Sequence, residues 1–225
     1  MISKVLSIAG TDPSGGAGAQ ADIKTITAFK CYALSVITAL VAQNTIGVKS
    51  ILDIPLDFIS NQIDCVFQDI KVDSIKIGML HKPDIVNLVS QKIINNFSDC
   101  SLVIDPVMVA KSGDDLLTEE ARKSLINNLI PHATIVTPNI PEAEIISNMR
   151  IRTEKEIIKA GMLILSMGPS AVLMKGGHSN SEIVKDYLIQ ENNIDIFEAI
   201  RINTNNTHGT GCTLSAAIAS GLSKG

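Results

Sequence analysis

Tryptophan is absent, and the other aromatic residues come to only five Phe and two Tyr in 225 positions. A stacking platform for nucleobases is excluded by that scarcity. Basic charge is also short, with 19 Lys and Arg against 23 Asp and Glu and a formal net charge of −4. The electrostatic footprint of a DNA or RNA binder is therefore missing. Cys31, Cys65, Cys100 and Cys212 contain no CxxC pair, and His81, His132 and His178 show no ligand spacing, which argues against structural zinc or a disulfide framework. No apolar run approaches the roughly 18 residues of a membrane span. The apolar part of the opening MISKVLSIAG is too short for a signal peptide, so a cytoplasmic chain is expected. Fixed-period repeats and low-complexity linkers are lacking too, which favours one domain over residues 1–225.

What is present is aliphatic. Hydrophobic residues make up 45% of the chain, and the core must be built from Ile, Val, Leu, Ala and Met, as in parallel sheets covered by helices. Short β-branched runs alternate with helical stretches. Strands are expected at 5–9, 34–37, 74–77, 102–104, 134–136 and 171–174, and helices at 17–29, 55–69, 83–94, 118–129, 141–146 and 153–167. Residues 184–189 and 194–202 read as a hairpin turning at Glu191-Asn192-Asn193, and a last helix begins after His208. This order predicts an α/β fold with a mostly parallel sheet and right-handed crossovers. Ligands in such folds bind outside the carboxyl ends of the strands, where GTDPSGGAG, DPVMVAKSGD, TPNIPEAE, KGGH and NTHGTGC should converge.

The string from Asn205 to Cys212 is the most informative. Glycines before a helix start expose backbone N–H groups to an anion, so Gly209, Thr210, Gly211 and Cys212 are candidates for holding a transferring phosphoryl group; a tightly packed turn is the plain alternative. A cysteine at a helix start is expected to have a lowered pKa and thiolate character. Cys212 could then be a general base, a polarising group, a covalent nucleophile or a small buried side chain. Asp105, Asn139 and Glu142 follow predicted strands and supply hard oxygens suited to Mg²⁺, although Asp105 and Glu142 could equally be helix caps or solvated charges. Lys175 ends another strand, where it can meet a phosphate as a point charge. In the amino-terminal glycine-rich turn, the backbone and Asp12 could hold a small neutral substrate, while Ala17 and Ala21 leave space for a ring. Gln43 offers a donor and an acceptor to a heteroaromatic edge, and Met79 reads either as a pocket wall or as core. His208 could order its turn as readily as act in chemistry.

Taken together, IAGTDPSGGAGAQADIKT, SVITALVAQNT, VDSIKIGML, VIDPVMVAKSGD, TPNIPEAE, VLMKGGH and NTHGTGCTLSAAIA make the chain resemble the bacterial hydroxymethylpyrimidine/phosphomethylpyrimidine kinases of thiamine biosynthesis, in the ribokinase-like superfamily. The resemblance implies a three-layer α/β/α sandwich, a homodimer in that family's manner, and two ATP-dependent phosphorylations, of 4-amino-5-hydroxymethyl-2-methylpyrimidine and then of its monophosphate. It implies substrate contacts from Gln43, Gly10, Asp12, Ala17 and Met79. Asp105, Asn139, Glu142 and Lys175 would face nucleotide and Mg²⁺, with Asp105 and Glu142 nearest the metal. Gly209 to Cys212 would form the anion hole, with Cys212 where sugar-kinase relatives carry a catalytic Asp. KCYALS departs from the pattern, with Cys31 and Ala33 where relatives usually carry glycines. Relatives also continue past the final helix, so the chain is expected to lack the usual C-terminal helices and part of the adenine wall. A pyridoxal-type vitamin kinase, a thiol-dependent hydrolase or transferase, and a non-catalytic pyrimidine binder are the competing readings.

Overall fold

The computed structural model describes residues 2–96, 100–109, 116–177 and 182–225. Ala110 to Asp114 of the VAKSGD string and His178 of KGGH lie outside the described residues. In chain order the elements are β1 (Lys4–Ala9), α1 (Gly18–Ala28), β2 (Tyr32–Ile37), β3 (Ala39–Gln43), β4 (Val48–Asp53), α2 (Leu56–Asp69), β5 (Ser74–Ile77), α3 (Pro83–Asn96), β6 (Ser101–Ile104), α4 (Glu119–Asn128), a 3₁₀ turn (Ile130–His132), β7 (Ile135–Val136), α5 (Ile140–Ser147), α6 (Glu154–Leu165), β8 (Val172–Met174), β9 (Ile183–Gln190), β10 (Asn193–Ile200) and α7 (Thr210–Leu222).

Eight strands form one sheet in the order β10-β9-β8-β7-β6-β5-β1-β2. Pairing is parallel from β2 through β8, and antiparallel from β8 to β9 and from β9 to β10. Alternation along the strands divides the core in two. Leu6, Ile8, Ile75, Ile77, Leu102, Ile104, Val172 and Met174 face Ile59 and Ile63 of α2, Val86 and Val89 of α3, Leu125 of α4, Ile146 of α5 and Ile164 of α6. Val5, Val103, Ile135 and Leu173 face Ile26 of α1 with Ala216 and Ala219 of α7. The result is the expected three-layer sandwich. Small side chains on α1 (Ala19, Ala21) and α7 (Ser215, Ala216, Ala219, Ser220) are buried where these two helices pack together.

Two consequences place the site. Parallel pairing brings the carboxyl ends of β1, β5, β6, β7 and β8 to one edge, so Gly10, Gly78, Asp105, Thr137 and Lys175, each the first residue after its strand, share that edge. Above it stands a ribbon that the sequence reading left without assignment, the antiparallel pair β3–β4. The reason is its thin burial. Only Ala39 and Val41 of β3 are buried, and β4 is half to fully exposed throughout, which leaves no clear hydrophobic period. The ribbon is tied down by backbone: Thr11 N donates to Ala39 O at 3.0 Å and Val41 N donates to Thr11 Oγ1 at 3.0 Å.

Three helix starts, those of α4, α5 and α6, carry a side-chain cap. Thr153 and Glu156 form a full capping box on α6, the arrangement in which a hydroxyl and a carboxylate satisfy each other's backbone amides. Thr153→Ala is expected to lower stability by about 1 kcal/mol, read as a lower urea midpoint at unchanged m-value.

Candidate functional site

Asp105 is the centre of the edge. It is 2% exposed, and its carboxylate accepts from Lys175 Nζ (3.0 Å to Oδ1), Thr137 Oγ1 (3.2 Å to Oδ1) and Ser215 Oγ (3.3 Å to Oδ2). These partners come from the ends of β7 and β8 and from the buried side of α7. Burial alone would raise the Asp105 carboxyl, but the Lys175 and Lys76 ammonium groups outweigh it and hold the pKa below the ordinary range. Burial likewise works against charge on Lys175, and Asp105 and Glu142 overcome it, so the lysine stays cationic. A Cβ built on Gly211, in the first turn of α7, would lie 3.3 Å from Lys175 Nζ and 3.4 Å from Asp105 Oδ2. The glycine keeps that side of the pair open to the helix start.

Asn139 and Glu142 have a structural task first. Asn139 Oδ1 accepts from Glu142 N at 2.9 Å and Glu142 Oε2 accepts from Asn139 N at 2.8 Å, a capping box on α5. The helix-cap alternative therefore holds for Glu142 and fails for Asp105. Asn139 also bridges in parallel to Lys175, whose N donates to Pro138 O at 2.9 Å. Glu142 is buried, and burial pushes its carboxyl up to about 7, with Lys175 opposing and Asp105 reinforcing the rise. Among the described residues no group of three or more His, Cys, Asp or Glu could hold a metal by itself. The donor chemistry fits Mg²⁺ in another way: two buried carboxylates of hard oxygen can share an ion whose remaining ligands are water and phosphate.

The turn before α7 locks onto the amino-terminal loop. Gly209 has φ +77°, which an L side chain rarely adopts, and a Cβ there would run into the Gly16 carbonyl oxygen and lie 3.0 Å from Ala17 Cα. Gly18 likewise has φ +57°, and a Cβ there would lie 2.6 Å from Gly10 O. His208 Nε2 is 2.7 Å from Asp12 Oδ2. The same Asp12 carboxylate accepts from Ser14 N, Ser14 Oγ and Ala17 N. Burial would raise Asp12, but the bonds from His208 and Ser14 lower it. Asp12, expected to touch substrate, spends its oxygens on the loop and on His208, and the turn-ordering alternative for His208 describes this contact. At the helix start, Thr213 N bonds to Gly209 O at 2.9 Å, while the amides of Gly211 and Cys212 fall in the first turn, where no intrahelical acceptor exists.

One expectation requires correction. Cys212 sits in the first turn of α7 but does not have a lowered pKa. Burial pushes the thiol up to about 11, with Asp105 and Asp22 adding to the rise while Lys76 and the Gly18 amide oppose it. Desolvation outweighs the helix dipole here, so the resting group is a thiol.

The ring side of the site gathers around Gly10. A Cβ there would meet Met79 Sδ at 3.1 Å, Val41 Cγ2 at 3.5 Å and Ala39 O at 3.6 Å. Met79 is 8% exposed and belongs to the main core, with its sulfur beside Gly10, so the core reading describes it. Gln43 is half-buried at the end of β3, past a bulge between Ala42 and Gln43. A groove of about 540 Å³ runs along Pro13, Leu40, Val41 and β4. It adjoins the ring side and does not reach Asp105 or Lys175.

The sequence reading missed three contributors. Thr137 and Ser215 hold Asp105, and nothing in their local pattern marks them. The third is a fully buried ion pair, Lys76 Nζ to Asp22 Oδ2 at 2.8 Å with both side chains 0% exposed. Its signal was legible: a lysine inside the apolar run SIKI cannot be buried without a partner.

Residues 12–225 match the family model described as phosphomethylpyrimidine kinase. The chain is 51% identical over 215 residues to a hydroxymethylpyrimidine/phosphomethylpyrimidine kinase of Escherichia coli K12, covering 95% of this chain and 80% of that protein. It is similar to the crystal structure of a phosphomethylpyrimidine kinase from Clostridium difficile, with TM-score 0.88 and 44% identity over 99% of this chain and 91% of that one. It is also similar to an ADP complex of a pyridoxal kinase from Bacillus subtilis, with TM-score 0.92 and 36% identity over 100% of this chain and 85% of that one.

Glu142 gives a pH prediction. Its folded pKa of about 7 lies above the ordinary 4.5, so between these values the folded state binds the proton more tightly and its stability falls as pH rises. Glu142→Gln keeps an acceptor for the Asn139 amide and removes that penalty. The variant should gain on the order of 2 kcal/mol over the parent at pH 8 and nothing below about pH 4, measured by thermal unfolding without nucleotide. An equal change at both pH values would contradict the assignment.

Proposed function

We infer the reaction from one premise: the chain belongs to the phosphomethylpyrimidine kinase family. It is a hydroxymethylpyrimidine/phosphomethylpyrimidine kinase by function, using ATP to phosphorylate the hydroxymethylpyrimidine and then its monophosphate in thiamine biosynthesis. The observation that carries this to particular residues is the meeting of Asp105, Lys175 and the Gly211 turn of α7 at one sheet edge. Phosphoryl transfer needs positioned charge more than covalent chemistry, and an ammonium beside open helix amides supplies it.

In our reading the pyrimidine ring lies between Gly10, Ala17 and Met79, with Gln43 presenting its amide to the aminopyrimidine edge. Ala17 lies 3.0 Å from the position of a Gly209 Cβ, so the ring pocket and the anion turn share a wall. The substrate hydroxymethyl group is then carried toward Cys212. The amides of Gly211 and Cys212 receive the equatorial oxygens of the transferring group, and Lys175 neutralises charge beside them. Asp105 and Glu142, with Asn139 beside them, would hold Mg²⁺ together with the nucleotide phosphates; bound there, the ion would neutralise phosphate charge.

Cys212 acts first as a thiol that orients the attacking hydroxyl. A strong base is not required, because a loose transition state leaves most of the proton on the nucleophile until bond formation is advanced. Loss of the thiol should lower kcat more than it raises KM. Cys212→Ala is expected to reduce the single-turnover rate about 100-fold with pyrimidine affinity nearly unchanged. An unchanged chemical step would remove Cys212 from the reaction.

Substrate choice is tested by steady-state kinetics on hydroxymethylpyrimidine, its monophosphate and pyridoxal. The expected order in kcat/KM places both pyrimidines above pyridoxal, and a preference for pyridoxal would reverse the assignment. Pyrimidine binding by calorimetry without ATP turnover would instead identify a non-catalytic binder.

A further inference from the structure

We propose that the buried Lys76–Asp22 pair is a charge-positioning device for the transfer site: Lys76 supplies positive potential from beneath the start of α7, and Asp22 fixes and moderates it. Lys76 Nζ donates to Asp22 Oδ1 at 3.0 Å and to Oδ2 at 2.8 Å, and Ser7 Oγ donates to Asp22 Oδ2 at 2.6 Å. Ser7 and Lys76 are register partners on adjacent strands, so the cluster is anchored to the centre of the sheet, on the face that α1 and α7 cover.

Its height in the fold matters most. Lys76 lies one pleat below Gly78, in the edge row that holds Asp105. Gly78 has no positive φ, so the backbone does not demand glycine there. Space does: a Cβ would lie 2.7 Å from Lys76 Nζ and 3.1 Å from Ala9 Cβ. The missing side chain leaves room for the ammonium next to Gly78, the residue of β5's edge row. Helix α7 packs over β5, β6 and β1 at that point, and the ammonium acts electrostatically on both Cys212 and Asp105.

A structural role alone does not account for the pair. Two buried charges carry a large desolvation cost, and well-packed apolar residues of similar volume commonly give equal or better stability. What the pair adds is a field. The charged groups facing Cys212 are Lys76 from β5, Lys175 after β8, Asp105 after β6 and Asp22 from α1, together with the Gly18 amide. Lys76 and Lys175 favour negative charge at the thiol, and Asp105 and Asp22 oppose it. Among them Asp22 and Lys76 touch neither substrate nor phosphate in our reading of the site, so both are positioning residues.

Opposite signs make the test decisive. Lys76→Met, Asp22→Asn and the double variant are prepared in the full chain, with folding checked by thermal melts. Cys212 ionisation is followed as the pH dependence of iodoacetamide alkylation of its peptide, by mass spectrometry and without nucleotide. The double variant carries no unpaired buried charge and tests Lys76 if the single variant does not fold: its alkylation should be slower than the parent's but less so than in Lys76→Met, because Lys76 acts on Cys212 more strongly than Asp22 does. Removing Lys76 should slow Cys212 alkylation at pH 8 on the order of tenfold, and Asp22→Asn should speed it. The double variant should also show kcat lowered about tenfold at unchanged KM for both substrates. Unshifted alkylation in Asp22→Asn and the double variant, shifts of the same sign in both, or an unchanged kcat in the folded double variant would each overturn the inference. Only the kcat arm rests on the kinase reading. A parent chain without turnover but with opposite alkylation shifts would sink that reading and leave the field effect standing; normal turnover with unshifted alkylation would do the reverse.

Discussion

Charge neutralisation on one face of the sheet is the constraint that the rest of the structure obeys. Lys76, Asp22 and Asp105 are almost wholly enclosed between the strands and helices α1 and α7, and Lys175 is 15% exposed at their margin. Unpaired, any of these would cost several kcal/mol. Paired, they cancel two against two, and their hydrogen bonds reach across β1, β5, β6, β8 and α1. The small residues of α1 and α7 follow from the same requirement, because only a close helix pair can seal this face against water. Glu142 is the remaining carboxylate. Burial holds its pKa up, and Lys175, already paired with Asp105, offsets this only in part.

The second organising contact joins the two ends of the chain. Gly209 presses against the Gly16 carbonyl, and His208 meets the carboxylate of Asp12, 196 residues earlier. The glycine-rich loop after β1 and the turn before α7 are thus one rigid unit built from distant segments. For a reaction that depends on bringing a hydroxyl and a phosphate into line, this coupling is worth more than either loop alone. It also explains why Asp12 is so heavily hydrogen-bonded.

Much of this was legible in the sequence, for identifiable reasons. Apolar runs such as VLSIA and LVI announce buried parallel strands, and Thr118, Asn139 and Thr153 announce helix starts through their side-chain oxygens. Once the strands were placed, the rule that ligands gather at carboxyl ends brought Asp105, Lys175 and the α7 turn to one edge. What stayed hidden depends on contacts between distant segments. The β3–β4 ribbon buries too little to show a period, and Ser215 and Thr137 look like any small polar residues until Asp105 is placed beside them. Cys212 is the instructive error. The local rule for a helix N-terminus points to a thiolate, but burial is a tertiary property, and it dominates.

That error bears on how the fold divides its labour. A thiolate at rest would be a second anion beside Asp105, in a place meant to receive phosphates, and would repel them. A thiol avoids this conflict and, in the proposed reaction, can still offer a hydrogen bond to the attacking hydroxyl. The penalty is a weak base, and the surrounding lysines limit it: Lys76 from below and Lys175 from the side make negative charge at the edge less costly at the moment it develops. An Asp at the same position would be charged from the start and would need either stronger positive surroundings or a different spacing from Asp105. The cysteine and the buried lysine thus solve one problem together, a site neutral enough to bind a polyanion and positive enough to stabilise its transfer.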